Sequence, residues 1–146
     1  MNRHPVRICA PAIRQKPPFR IVGDLSRFPC EDHVEMHLSE DWCSAEIVGD
    51  LFPNILLLEA FAQAAATLSA LRCDGGIGYV TRIADCAFLA RRYSAAAVVV
   101  CARLLRQTGR SSSYDCHARQ AGQVIAVARL ETIRAESWVM SRKLLN

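Results

Sequence analysis

Glu59 is the only ionisable residue between Asn54 and Leu71, in a stretch otherwise made of Ala, Leu, Ile, Phe and a few small polar residues. A carboxylate on so apolar a segment is costly to bury unless it is partnered or put to use. In apolar surroundings a carboxyl group holds its proton to higher pH, where it can serve as acid or base near neutrality. Gln63 follows four residues later, one helical turn on, within reach to orient Glu59 by hydrogen bond. Asn54 opens the same stretch. A backbone N–H there, unpaired and at the positive end of a helix dipole, suits a developing oxyanion. Each residue also has a plain reading. Glu59, Gln63 and Thr67 recur every four residues and form a stripe that can be a solvated edge. Asn54 can be an ordinary cap, and Gln63 can be structural.

Other reactive types are scattered. His33, Glu35 and His37 alternate along one short segment. A metal would need a third ligand in a matching place, and the sequence shows none, so solvated strand histidines are expected and no metal site or cofactor. His117 shares a face with Asp115 and Arg119 and is expected to be exposed. Cys43 has no adjacent basic residue to stabilise a thiolate. Arg91, Arg92, Arg103, Arg106 and Arg110 gather near two strand ends, where they can meet an acidic or phosphorylated partner or be surface charge.

The elements that position these residues follow from periodicity. Residues 1–17 carry three prolines, followed directly by Pro18, and read as an irregular arm. Phe19 to Leu25 is a short strand or turn. His33 to Leu38 alternates as a half-buried strand, with Val34, Met36 and Leu38 inward. Ser39 to Phe52 reads as a loop. Pro53 to Arg72 is the clearest helix, rich in Ala and Leu, ended by Cys73-Asp74-Gly75-Gly76. It is apolar nearly all round and is expected to be wrapped by other structure. Strands are expected at Tyr79 to Leu89, Ala95 to Leu105, Ser112 to Arg119 and Val124 to Ile133, with a turn at Gln120 to Gln123. The tail, residues 136–146, can form a short helix. One strand, one long apolar helix, then a meander of strands describes an α+β fold: an antiparallel sheet of five to six strands curled around a central helix. The core domain spans residues 18–135.

Composition narrows the function. The chain has 146 residues, enough for one domain, and a globular balance of 51 % hydrophobic and 22 % charged residues. The formal net charge is +4, and Arg supplies 16 of 18 basic residues. They form no dense run and no nucleic-acid-reading motif, so nucleic acid is not expected. The seven cysteines are odd in number and lack a C-x-x-C pair. They read as reduced, small core hydrophobes of a cytoplasmic protein. No signal-peptide core is seen at the N-terminus, and the apolar run from Ile55 to Leu71 is short for a membrane span.

The helix carries a resemblance. Phe52-Pro53-Asn54-Ile55-Leu56-Leu57-Leu58-Glu59-Ala60-Phe61-Ala62-Gln63 resembles the central-helix motif of the β-hydroxyacyl-(acyl carrier protein) dehydratases, Pro-Gly-x-Leu-x-x-Glu-Ala-x-Ala-Gln. Ile83 to Phe88 and the hairpin Ser112 to Glu131 are similar to that family's later strands. The resemblance implies the hot-dog fold and an edge-to-edge dimer. It makes Glu59 the catalytic carboxylate, with Asn54 at the motif Gly and Gln63 at the motif Gln. In the family a His faces the carboxylate across the dimer, and the two remove water from a 3-hydroxyacyl thioester. Here Ala45 stands at the His position, nine residues before Asn54, and Tyr93-Ser94-Ala95-Ala96 replaces the family's Pro-Gly-Asp turn. The resemblance therefore implies an acyl-thioester-binding protein of fatty-acid-like or polyketide-like biosynthesis. It would act on acyl carrier protein or CoA thioesters, as a homodimer or with a second hot-dog chain that brings the missing His. The alternatives are a thioesterase using Glu59 and a non-catalytic hot-dog subunit.

Overall fold

The structure is a computed structural model and describes residues 21–38, 54–72, 77–90 and 98–135. The expected arm, the loop from Ser39 to Phe52 with Cys43 and Ala45, the pair Arg91 and Arg92, and the tail lie outside the described residues. The elements are β1 (Val22–Cys30), β2 (His33–Leu38), α1 (Asn54–Leu71), β3 (Ile77–Phe88), β4 (Val99–Thr108), β5 (Ser111–Gln120) and β6 (Gln123–Ala135). Six strands form a single antiparallel sheet in the order β1-β2-β4-β5-β6-β3. The α+β architecture read from the sequence is the one observed. The segment read as a strand or turn near Leu25 is the full strand β1, paired with β2.

Period-two alternation decides which face meets the helix. Val34, Met36 and Leu38 of β2, Val100 and Ala102 of β4, Tyr114, Cys116 and Ala118 of β5, and Ala126, Ala128 and Leu130 of β6 are buried against α1. From the helix, Leu57, Ala60, Phe61, Ala64 and Leu68 complete the core with no exposed surface. Each of the larger side chains contributes about 1.5–3 kcal/mol by leaving water. The small residues on both sides let the helix approach the sheet closely. β5 and β6 join through Ala121 and Gly122, both at positive φ (50° and 77°). This is the backbone twist that a two-residue hairpin turn favours.

Two expectations about packing change. The helix is not covered all round: Ile55 is 66 % exposed, and Glu59, Ala66 and Ala70 are exposed with it. A single six-stranded sheet covers one side of a helix and leaves the other open. The cysteines also divide. Cys101 and Cys116 are buried, but Cys30 and Cys86 are exposed, and all four are free thiols. Cys30 ends β1, and Cys86 lies within the irregularity in β3 between Ala84 and Ala87, and both side chains are exposed.

Candidate active site

The stripe Glu59, Gln63, Thr67 is real but does not run straight. Successive residues turn by about 100°, so a four-residue step advances the side chain by about 40° around the axis. Glu59 lies on the open side of α1, while Gln63 (2 % exposed) and Thr67 have wound into the core. The solvated-edge reading fails for both.

Gln63 is held from three directions. Its Oε1 accepts hydrogen bonds from the backbone N–H of Ile21 (2.8 Å) and of Val22 (3.2 Å), at the start of β1. Its Nε2 donates to Glu59 Oε1 at 2.9 Å. Two N–H donors on the oxygen fix the amide orientation, because a flipped amide would set donor against donor. The –NH₂ must then face Glu59. One turn on, Thr67 Oγ1 donates to the backbone carbonyl of Gln63 at 2.9 Å. Gln63 thus ties β1 to the middle of the helix and presents a fixed donor to a carboxylate at the protein surface. The part played by Ile21 and Val22 has no signal in the sequence. They lie 42 and 41 residues from Gln63 and enter through main-chain groups that any residue but proline carries.

Asn54 is the first residue of α1. The first N–H groups of a helix have no intrahelical partner.

Two further expectations meet the geometry. Glu59 is exposed, so the apolar surroundings expected for it are not supplied by the described residues of this chain. Beside the helix, Tyr79, Val80, Ile83 and Phe88 of β3 form an apolar wall that the described residues leave exposed. The described histidines do not approach Glu59. His33, His37 and His117 all alternate with core residues and lie on the sheet face away from the helix. His117 is half-buried rather than exposed, and desolvation followed by the charges of Arg119 and His33 holds its pKa below the usual value. Arg103, Arg106 and Arg110 are exposed on the β4–β5 hairpin.

No protein-family model matches the chain, and no curated protein matches it in sequence. Solved structures do resemble it. The dehydratase heterocomplex ApeI:P from Xenorhabdus doucetiae superposes with a TM-score of 0.72 at 14 % identity, over 92 % of this chain and 95 % of that one. The PaaI protein of the E. coli phenylacetic acid degradation operon gives 0.63 at 13 % identity, over 76 % and 82 %. A hypothetical thioesterase from Streptococcus pneumoniae, solved with coenzyme A, gives 0.60 at 10 % identity, over 77 % and 84 %. The chain has the hot-dog fold. At these identities the likeness carries the fold and not the activity. In this hot-dog chain the sheet wraps one side of α1, and Glu59 with its Gln63 support sits at the boundary between the wrapped and the open side. Among the described residues no helix is long and apolar enough to cross a membrane.

Proposed function

We propose that this hot-dog chain binds an acyl thioester and that Glu59 exchanges a proton with it, in a site completed by a second hot-dog chain. The hydrogen bond from a buried, immobilised Gln63 to a surface carboxylate carries the reading. A carboxylate with no task has little need of a partner locked by two backbone donors. The need for a second chain is supported by β3. It is an edge strand of 12 residues bearing Tyr79, Val80, Ile83 and Phe88 in exposed positions. A long apolar edge is a template for pairing with another strand. Such pairing would also cover the open wall beside the helix.

The reaction class favoured is dehydration of a 3-hydroxyacyl thioester, on acyl carrier protein or CoA. One group takes the α-proton, another protonates the departing hydroxyl, and water and the enoyl thioester leave. Glu59 does one of these jobs. Ala45 does neither, so the second group is supplied by a partner chain. The similarity of this chain to a dehydratase that is itself a heterocomplex supports that arrangement. The purified chain alone is then a poor dehydratase, lower by about the 10²–10⁴-fold that one positioned acid–base group contributes. Ala45→His restores part of the rate.

A thioesterase is the second reading. The solvent exposure of Glu59 favours it, because a carboxylate open to water can activate a water molecule against the thioester carbonyl. Incubation with 3-hydroxyacyl and saturated acyl thioesters, read by mass spectrometry, separates the readings. Loss of water marks the dehydratase, and free acid marks the thioesterase. Neither product, with or without a co-expressed second hot-dog chain, would show a non-catalytic subunit.

A further inference from the structure

The face of the sheet turned away from the helix carries a second cluster, independent of Glu59. His33 and Glu35 share that face of β2 by alternation. The register places Cys101 of β4 directly opposite Glu35 and His117 of β5 directly opposite Cys101. Directly paired residues of an antiparallel sheet have Cβ atoms about 4.5–5.5 Å apart. One ligand atom from each of His33, Glu35 and Cys101 falls within 4.8 Å of the others. His33 Nε2 stands 3.9 Å from Glu35 Oε1. Cys101 is only 1 % exposed, although it falls outside the core beneath the helix. A buried thiol on an outer sheet face, beneath an imidazole and a carboxylate, is not what sheet packing alone calls for.

We propose that His33, Glu35 and Cys101 form a binding site for a divalent transition-metal ion, of which Zn²⁺ fits the ligands best. Imidazole nitrogen, carboxylate oxygen and thiolate sulfur are the ligand types zinc takes, and small side-chain rotations bring three atoms this close onto one ion. Three protein ligands leave the fourth tetrahedral position open to water, with His117 beside it. Binding forms the sulfur–metal bond and expels the thiol proton of Cys101 to solvent. Glu35 and the Cys101 thiolate together balance the charge of the ion. Arg119 Nη2 lies 3.2 Å from the same oxygen, Glu35 Oε1, and it holds the carboxylate in place, as ligating carboxylates are commonly held. The alternative is a plain polar cluster in which Arg119 and His33 neutralise Glu35 above a passive thiol. His37 belongs to the same face but is exposed and lies beyond Glu35, outside the group.

Cobalt(II) titration of the full chain tests the proposal, since a cobalt thiolate announces itself by a charge-transfer band. The expected result is equimolar binding with that band at micromolar concentrations, reversed by Zn²⁺. Cys101→Ser removes the band. His33→Gln weakens binding by at least about 100-fold, more than loss of an outer contact costs. His37→Gln and Cys30→Ser leave binding unchanged. His33 is only partly buried, so His33→Gln keeps the fold even where Cys101→Ser does not, and circular dichroism checks both. Zn²⁺ raises the Tm of the wild-type chain but not of His33→Gln. Absence of the band at these concentrations, or binding that survives His33→Gln, overturns the proposal.

Discussion

Replacing Gln63 by Leu separates what its amide does from what its volume does. Leu has nearly the same bulk, so no large cavity forms. The backbone N–H of Ile21 loses its acceptor, and that of Val22 loses one, at positions 2 % and 0 % exposed where water cannot substitute. Leaving a buried donor unsatisfied costs about 1–3 kcal/mol, and the lost bond to Glu59 adds about 0.5–1.5. The added apolar burial offsets part of this. A net loss of about 3 kcal/mol is expected, which at about 2–4 °C per kcal/mol lowers Tm by about 6–12 °C. Urea titration and calorimetry measure it. The companion variant is Gln63→Glu. Its carboxylate still accepts from Ile21 and Val22, so the tie to β1 survives, but the group facing Glu59 is now an acceptor. Two carboxylates at that distance must share a proton, and the pH profile of thioester turnover moves to higher pH. Gln63→Leu within about 1 kcal/mol of wild type, with turnover and pH profile unchanged, would refute the claim that this amide anchors β1 and positions Glu59.

Other consequences are more direct. Glu59→Gln abolishes turnover of any thioester while shifting Tm by no more than about 1 °C, since the residue is exposed and the amide still accepts from Gln63. Ile83→Asp sets a charge on the exposed edge strand β3; size-exclusion chromatography with light scattering then shows a monomer at concentrations where the wild-type chain pairs. Burial pushes the Cys101 thiol up from 9.0 to about 11, and the Cys116 thiol further still. The folded chain therefore keeps these protons after the unfolded chain has released them. The contribution of these thiols to stability is fully present below pH 9 and is lost as pH rises from 9.0 toward 11 and beyond. Urea midpoints across that range are expected to drop, and to drop less in Cys116→Ala. Ala121 sits in the left-handed region at φ 50°, so Ala121→Asn, which makes the Asn-Gly pair that such hairpins favour, stabilises by about 0.5–1 kcal/mol in the same assay.

The sequence by itself determined the fold class, because the signals that carry it are local. An 18-residue Ala- and Leu-rich segment without Gly or Pro favours helix at nearly every position. Alternation over His33 to Leu38 and Ser112 to Arg119 fixes which side chains face inward, and Gly109 and Gly122 mark the two hairpins. Glu59 was legible for the same reason, as one charge in an apolar segment, and so was its link to Gln63, one helical turn away. Tertiary structure alone decided the rest. That Gln63 is buried and Glu59 exposed follows from where the sheet ends around the helix, which periodicity along the helix does not encode. That Gln63 is held by Ile21 and Val22 depends on where β1 begins against the helix, and the donors are backbone groups with no sequence signature. The third ligand for His33 and Glu35 was invisible for a parallel reason. Cys101 lies 66 residues beyond Glu35, and only the register of β2 on β4 sets them side by side; a slip of one residue would have turned Cys101 into the core and left two solvated side chains on a strand.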